Sequence, residues 1–145
     1  MYRLDEKDIA ILNELKKDSR ESFRKIARKL NVATTTVINK HKRLRDAGII
    51  KKSTIEIDYE KMGYTLAALI DLRVSKGRLI EVEEKIAKRH NVYAVYDITG
   101  DSDSVILARF INRKELNDFI KSLLAMEYVE RTNTHLILNI VKEEL

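Results

Sequence analysis

The stretch Asn31–Ile50 reads NVATTTVINKHKRLRDAGII and decides the fold of the first third of the chain. Val37, His41 and Leu44 recur at helical spacing, which predicts the inward face of a helix over about residues 34–47. Three consecutive threonines open this helix, although β-branched residues are poor helix formers on an exposed surface. Their presence therefore suggests a role other than helix stability.

Two shorter helices are predicted before this segment. In LDEKDIAILNELKKD, Asp5 is the expected N-cap and Asp8 lies at the third position of a capping box. Ser22 is the expected cap of the next helix, and Asn31-Val32 leaves room only for a tight turn before the third. Gly48 supplies the final helix stop. The last two helices therefore form a helix-turn-helix, which presents its second helix to the major groove of DNA.

The excess of positive charge lies in the first 60 residues, which include this segment. Residues 1–60 hold 15 Lys and Arg against 10 Asp and Glu, whereas residues 61–145 hold 13 of each. An excess confined to one end indicates a surface that binds a polyanion. The alternative is a solvated, charged helix face, which explains the cations but leaves the three threonines unexplained.

Side chains that point away from the predicted core of the third helix are of the types that contact DNA. Thr35, Asn39 and Lys42 lie opposite Val37 at about 100° per residue. Such side chains hydrogen-bond base edges, touch a thymine methyl or pair with phosphate. We expect double-stranded DNA as the partner. The predicted base-facing residues are Thr35, Thr36, Ile38, Asn39 and Lys42, and the predicted phosphate contacts are Arg24, Lys40, Arg43, Lys51 and Lys52. Thr34, at the start of the helix, is a further predicted DNA contact.

From Ser53 onward the pattern changes to strands. STIEID alternates like a strand and Gly63 interrupts the next stretch, so we predict a DNA-binding domain over 1–52, a linker over 53–63 and a second domain over 64–145. The second domain reads strand TLAALIDLRV, helix LIEVEEKIAKRH, strands VYAVYDIT and SVILARFIN, helix RKELNDFIKSLLAM and strand VERTNTHLILNIVKE. The predicted fold class is α+β, a winged helix-turn-helix followed by a ferredoxin-like βαββαβ domain.

One face of the predicted sheet has no helix to cover it. Leu69, Val95, Leu107 and Ile137 are expected on that face beside polar neighbours. Because an exposed apolar face of this kind marks an interaction surface, we expect the chain to dimerise sheet to sheet.

Composition argues against other classes of protein. The 145-residue chain has no cysteine, which removes disulfides and thiolate metal sites. It has no apolar run of about 18 residues and no apolar signal core, so we expect a cytoplasmic protein with no membrane partner. No glycine loop for phosphate and no nucleophile beside a His-acid pair is recognisable. We therefore expect no enzyme, no cofactor and no bound metal.

Together these motifs resemble the Lrp/AsnC, or feast/famine, family of prokaryotic transcription regulators. The likeness lies in LD at the first helix, KDSR before the second, LNV at the turn and the spacing V-x6-L-x3-GII, and continues through ITGDSDSVILARF and VERTNTHLILNIVKE. Ala33 stands where a serine is usual, His41 where an apolar residue is usual and Ile38 where a polar one is usual. The cap of the third helix is therefore Asn31, Thr34 or absent, and His41 is most simply a core histidine.

The resemblance implies a dimer that assembles into octamers or other multiples and senses an amino-acid effector with its C-terminal domain. It implies an effector site at Thr99, Gly100, Asp101, Asp103, Thr132 and Thr134. Asp97, Asp101 and Asp103 also resemble a divalent-metal turn, although a tight hairpin at Gly100-Asp101 is the simpler interpretation. We expect a sequence-specific transcription regulator of amino-acid or related metabolism. The alternatives are an architectural DNA-binding protein and a metabolite-binding domain whose basic end serves RNA binding or charge steering.

Overall fold

The chain folds as two units that divide between Ile57 and Asp58, inside the segment predicted as a linker. The computed structural model describes residues 3–75 and 77–143. The elements follow in the order α1 Glu6–Lys17, α2 Phe23–Lys29, α3 Thr34–Asp46, β1 Leu66–Val74, α4 Leu79–Ala87, β2 Val92–Asp97, β3 Ser104–Phe110, α5 Arg113–Leu124 and β4 Val129–Ile137.

The first unit contains the three predicted helices. Asp5 caps α1 in a reciprocal box, in which the Asp8 N–H donates to Asp5 at 2.8 Å and the Asp5 N–H donates to Asp8 at 3.0 Å. Ser22 caps α2 by accepting from the backbone of Lys25. Because each helix has one apolar face, all three pack around a common core. That core is made by Ile11, Ile26, Ala27 and Val37, with Leu15, Phe23, Leu30 and Val32 packed against it.

The segment after α3 differs from the prediction. The alternation of STIEID predicts a strand, but residues 51–57 form neither helix nor strand. An alternating sequence becomes a strand only where a neighbour supplies the ladder of hydrogen bonds. Here the carbonyl of Thr54 accepts from the Ser19 hydroxyl, and Ile55 is exposed. The chain therefore carries the helix-turn-helix without the predicted wing strand.

The second unit is the predicted βαββαβ domain. Its four antiparallel strands lie in the order β2-β3-β1-β4. Alternate residues of β1 and β3 are buried, since α4 and α5 cover one face of the sheet. The core between the sheet and the helices consists of Ala68, Ile70, Leu72, Val74, Val82, Ile86, Ile106, Ala108, Phe110, Phe119 and Leu123.

The other face of the sheet carries three of the four predicted apolar residues. Leu69 is paired with Leu107, and Ala67 with Ile137, which puts these side chains on the side away from the helices. Val95 was assigned to this face wrongly, because it is paired with the fully buried Ile106. The register of β2 shifts between Val92 and Ala94, and an extra residue of this kind reverses the alternation that a regular strand would keep. We call the side away from the helices the open face.

An arginine on β3 holds both ends of the second unit. The Arg109 guanidinium lies 4.1 Å from the centre of the Tyr59 ring and 3.9 Å from that of Tyr93, and it pairs with Glu143. Burial, together with the charge of Glu143, raises the pKa of the Tyr93 hydroxyl to about 12. Stacking on Tyr59 connects the turn before β1 to the sheet, and the ion pair with Glu143 connects the C-terminal segment to it.

Candidate nucleic-acid interface

The recognition helix α3 separates a buried face from an exposed face. Val37 and Leu44 are fully buried in the first unit. The side chains of Thr35, Asn39 and Lys42 on the other side of the helix are exposed. Ile38 is also exposed, at 45%. Two hydrogen-bonding side chains, one apolar side chain and one cation thus lie together on the outer face of a helix.

The first turn of α3 has no side-chain cap. Ala33 occupies the N-cap position without a capping hydrogen bond, which answers the question left open by the sequence. Asn31 serves the turn in another way, with a φ of +50° that few residues other than glycine and asparagine adopt readily. Thr34 and Thr36 are half-buried at this end, so Thr35 is the most exposed of the three threonines.

Lys40 does not present its ammonium as the prediction requires. Its Nζ lies 2.6 Å from Asp5 Oδ2 and 2.9 Å from Asp8 Oδ1, and only 12% of its side chain is exposed. An ammonium held by two carboxylates must break those contacts before it can bind a phosphate. These two ion pairs argue against the predicted phosphate contact of Lys40.

Other cations of the predicted DNA interface have exposed side chains. Arg24, Lys42, Lys51 and Lys52 are exposed and form no ion pair with any described residue. Arg43 is also exposed. Several neighbouring cations are neutralised instead, because Glu14 pairs with Lys17 and Lys29, while Glu21 pairs with Lys25 and Lys29. The structure thus distinguishes cations that are exposed to a ligand from cations that pair within the fold. Their positions in the sequence do not make this distinction.

His41 belongs to the packing between α2 and α3. Its ring is half-buried and lies 4.8 Å from the ring of Phe23. Burial lowers the pKa of His41, and the nearby Arg45 lowers it further. The imidazole is therefore neutral near pH 7, as expected for a histidine that replaces an apolar residue.

The predicted effector residues fall into two groups. In the loop between β2 and β3, Gly100 adopts a φ of +121°, and the carbonyl of Asp101 accepts from Arg73 at 3.2 Å. One carboxylate oxygen of Asp103 already accepts from the backbone N–H of Val74 at 2.8 Å. Thr99 and Asp101 have exposed side chains in this loop. Asp103 therefore supports the loop, and Asp101 is the carboxylate more open to a ligand.

The second group lies on β4. Thr132 is paired with Leu72 and Thr134 with Ile70, both fully buried, so the two threonines face the helix-covered side. Ser104, at the end of the loop, is paired with Leu72 from the other side of β1. The two groups therefore lie on opposite sides of β1, separated by about two strand spacings, or about 10 Å.

A polar cluster on the open face was missed by the sequence analysis. His135 Nε2 lies 3.1 Å from Asp71 Oδ2 and 2.9 Å from Asn133 Nδ2. The alternation of β4 could have placed Asn133 and His135 together, but only the register with β1 brings Asp71 beside them. Among residues 3–75 and 77–143, no three His, Asp or Glu side chains are arranged to hold a metal ion. Over the same ranges, no helix is long and apolar enough to cross a membrane.

Comparison with known proteins agrees with this division of the chain. Residues 4–45 match the AsnC-type helix-turn-helix domain, and residues 67–145 match the Lrp/AsnC ligand binding domain. An HTH-type transcriptional regulator of Pyrococcus horikoshii, itself described as uncharacterized, is 45% identical over 141 residues, covering 97% of this chain and 95% of the relative.

Solved structures show the same fold. LrpC of Bacillus subtilis superimposes with a TM-score of 0.90 at 28% identity, covering 99% of this chain and 100% of that chain. A transcriptional regulator of Neisseria meningitidis, solved as a complex with L-Met, superimposes with a TM-score of 0.89 at 22% identity, covering 97% of this chain and 94% of that chain. At 22% identity the second likeness shows the fold alone.

Proposed function

The chain belongs to the Lrp/AsnC family of transcriptional regulators, and from that premise we propose that its helix-turn-helix reads a specific DNA sequence through the outer face of α3. One observation carries the proposal. The face opposite Val37 and Leu44 exposes Thr35, Asn39 and Lys42, and no described residue pairs with the Lys42 ammonium. Side chains of these types read base edges in the major groove.

The proposed interface combines base-facing and phosphate-facing residues. Bases are read by Thr35, Ile38, Asn39 and Lys42, with Thr34 and Thr36 at the less exposed start of the helix. The phosphate contacts are Arg24, Arg43, Lys51 and Lys52. Phosphate contacts fix the register of the protein on DNA, whereas contacts to base edges provide specificity.

Selection of bound fragments from a random DNA pool near physiological salt tests this proposal. A sequence-specific regulator recovers a motif with two half-sites about one helical turn apart, or a multiple of a turn. Recovery of DNA without a motif would favour the architectural alternative, and recovery of no DNA would contradict DNA binding itself.

Asn39→Ala is the variant that tests base reading directly. We expect the loss of about 1–3 kcal/mol on the selected site and a relaxed preference at one or two base pairs. Asn13→Ala, at an exposed asparagine on α1, is the matched control and should leave binding unchanged. Equal weakening on all DNA sequences would make Asn39 a phosphate contact instead.

Lys51→Ala tests the phosphate contacts. Removing one phosphate contact reduces the slope of log affinity against log salt by about one unit and leaves sequence preference unchanged. Lys88→Ala, at an exposed lysine of the second unit, is the control. An unchanged slope for Lys51→Ala would show that this segment does not reach the DNA backbone.

We also propose that the second unit binds a small amino-acid effector and associates with a second copy. The match of residues 67–145 to a ligand binding domain supports the first point. The loop at Thr99, Gly100 and Asp101 offers backbone donors and a carboxylate for a zwitterion. Because β1 separates this loop from Thr132 and Thr134, the two groups would be joined in one site only through a second chain. Repeating the DNA selection with the twenty amino acids tests the effector, since a changed motif or yield is expected.

A further inference from the structure

An ion triad in the first unit joins the recognition helix to the beginning of α1. The Lys40 ammonium contacts Asp5 Oδ2 at 2.6 Å and Asp8 Oδ1 at 2.9 Å. Asp5 and Asp8 are themselves joined by the two hydrogen bonds of the α1 capping box. The side chain of Asp8 is 2% exposed and that of Lys40 is 12% exposed. Lys40 is thus attached to a rigid, capped helix end.

All three groups are charged at neutral pH. Hydrogen bonds to Asp5 and Asp8 raise the pKa of Lys40. Burial opposes ionisation of Asp8, but the Asp5 N–H and Lys40 outweigh it and lower the pKa of the Asp8 carboxyl. The Lys40 hydrogen bond is the main reason that the pKa of Asp5 is also lowered. Because the side chains of Asp8 and Lys40 are nearly buried, removing one of them leaves the other charge without its partner, which is costly.

The position of Lys40 on α3 makes this geometry relevant to DNA. Asn39 precedes Lys40 by one residue and is therefore rotated from it by about 100° around the helix axis. Side-chain atoms lie about 5–6 Å from the axis, so turning the helix by about 10° moves them by about 1 Å. Hydrogen bonds to bases tolerate little more than a few tenths of an ångström.

Other contacts also hold α3 in place, among them the packing of the His41 ring against Phe23. The N-cap position of α3 has no side-chain hydrogen bond, and α2 has only seven residues. Val37 packs in the apolar core and Leu44 is also buried, but apolar contacts are not directional. The triad adds directional hydrogen bonds between α3 and α1.

We propose that Lys40 is a positioning residue, which with Asp5 and Asp8 sets the rotation of α3 so that Asn39 and Lys42 meet the bases. The inference rests on the proposed function, because it assumes that α3 reads DNA. It predicts that removing Lys40 lowers sequence discrimination and leaves the number of phosphate contacts unchanged.

The test compares Lys40→Met, Lys40→Arg and Lys51→Met in the full chain. Binding is measured against salt on mixed-sequence duplex and on the selected site. For Lys40→Met we expect the same salt slope as for the wild-type chain. The discrimination ratio, which is the affinity for the selected site divided by that for mixed-sequence duplex, should fall by up to about tenfold. Lys40→Arg should keep the discrimination ratio of the wild-type chain, since a guanidinium pairs with both carboxylates. Lys51→Met should lower the slope by about one unit with discrimination intact.

A second variant is needed as a comparison, because Lys40→Met leaves the Asp8 carboxylate buried without its partner. Asp8→Asn combined with Lys40→Met removes both charges, and an asparagine oxygen still accepts in the capping box. Circular dichroism at the assay temperature establishes that each variant is folded. The double variant should show the same lowered discrimination as Lys40→Met.

Two results would overturn the proposal. A slope lowered by about one unit in Lys40→Met would make Lys40 a phosphate contact. Unchanged discrimination in a folded Lys40→Met or double variant would show that α3 is positioned without the triad. Both differ from failure of the proposed function, in which the wild-type chain itself selects no motif.

Discussion

At the scale of single residues, the turn between α2 and α3 depends on the backbone of Asn31. Its φ is +50°, in the left-handed region, and the next N–H, that of Val32, donates to the carbonyl of Ala27 at 3.0 Å. A residue with a Cβ pays about 1–2 kcal/mol in this region, and asparagine and glycine adopt it more readily than alanine does.

Asn31→Ala is therefore expected to lower the free energy of unfolding of the first unit by about 1 kcal/mol. Asn31→Gly should be at least as stable as the wild-type chain, since glycine adopts a positive φ without a steric penalty. Urea unfolding measures both variants, with Asn13→Ala on the exposed side of α1 as the control. Equal stability of the alanine and glycine variants would mean that this conformation is not strained.

Single residues are also where sequence reasoning failed. Lys40 belongs by spacing to the exposed side of a basic helix, and nothing in the local pattern indicates that Asp5 and Asp8 would enclose it. Val95 fits the open face by alternation, but the shift in register at Val92–Ala94 reverses its direction. Neither the ion pairs of Lys40 nor the register shift in β2 can be inferred from local periodicity, because both depend on contacts between distant segments.

At the scale of elements, α1 and α2 are connected by the Glu14 carboxylate, which forms ion pairs with two lysines. Glu14 pairs with Lys29 of α2 at 2.7 Å and with Lys17 of its own helix. Hydrogen bonds from Lys17 and Lys29 lower the pKa of Glu14 from its ordinary 4.5 to about 2. Because the folded-state pKa is lower than the unfolded one, this stabilisation is complete above pH 4.5 and is lost as the pH falls towards 2.

Glu14→Gln should therefore be less stable than the wild-type chain at pH 7, with the difference shrinking as the pH falls through 4 towards 2. Denaturant unfolding across this range measures the effect. Glu56→Gln, at an exposed glutamate outside the helices, is the control and should show no such dependence. A difference that stays constant with pH would place the loss in packing rather than in the ion pairs.

Elements with one apolar face were the most predictable part of the fold. The Asp5 capping box, the Ser22 cap and the two helices over the sheet could all be inferred from the sequence, because each depends on residues a few positions apart. The strand expected at STIEID could not be judged in this way, since its hydrogen bonds must come from another segment. The division of the effector residues by β1 was hidden for the same reason.

At the scale of the whole molecule, the open face of the sheet is the face that α4 and α5 do not cover. It carries Leu69, Leu107 and Ile137, and Tyr96 on β2 is paired with Val105 of the same face. The proposed dimer would cover these side chains, as a contiguous apolar surface favours association. Two DNA-binding units joined in this way would also explain a motif with two half-sites.

Leu107→Asp tests this arrangement, because a carboxylate buried in an apolar interface loses its hydration without gaining a partner. We expect the wild-type chain to sediment as a dimer or larger assembly and the variant to sediment as a monomer. Ile80→Asp is the matched control, since Ile80 is 72% exposed on α4, on the other side of the sheet. The helix-turn-helix is unaltered in both variants, so affinity for mixed-sequence DNA per chain should remain, while the gain from binding two half-sites together is lost only in Leu107→Asp. If Leu107→Asp sediments with the same assembly mass as the wild-type chain, the open face is not the surface through which two copies associate. The paired half-sites would then require a different dimer interface.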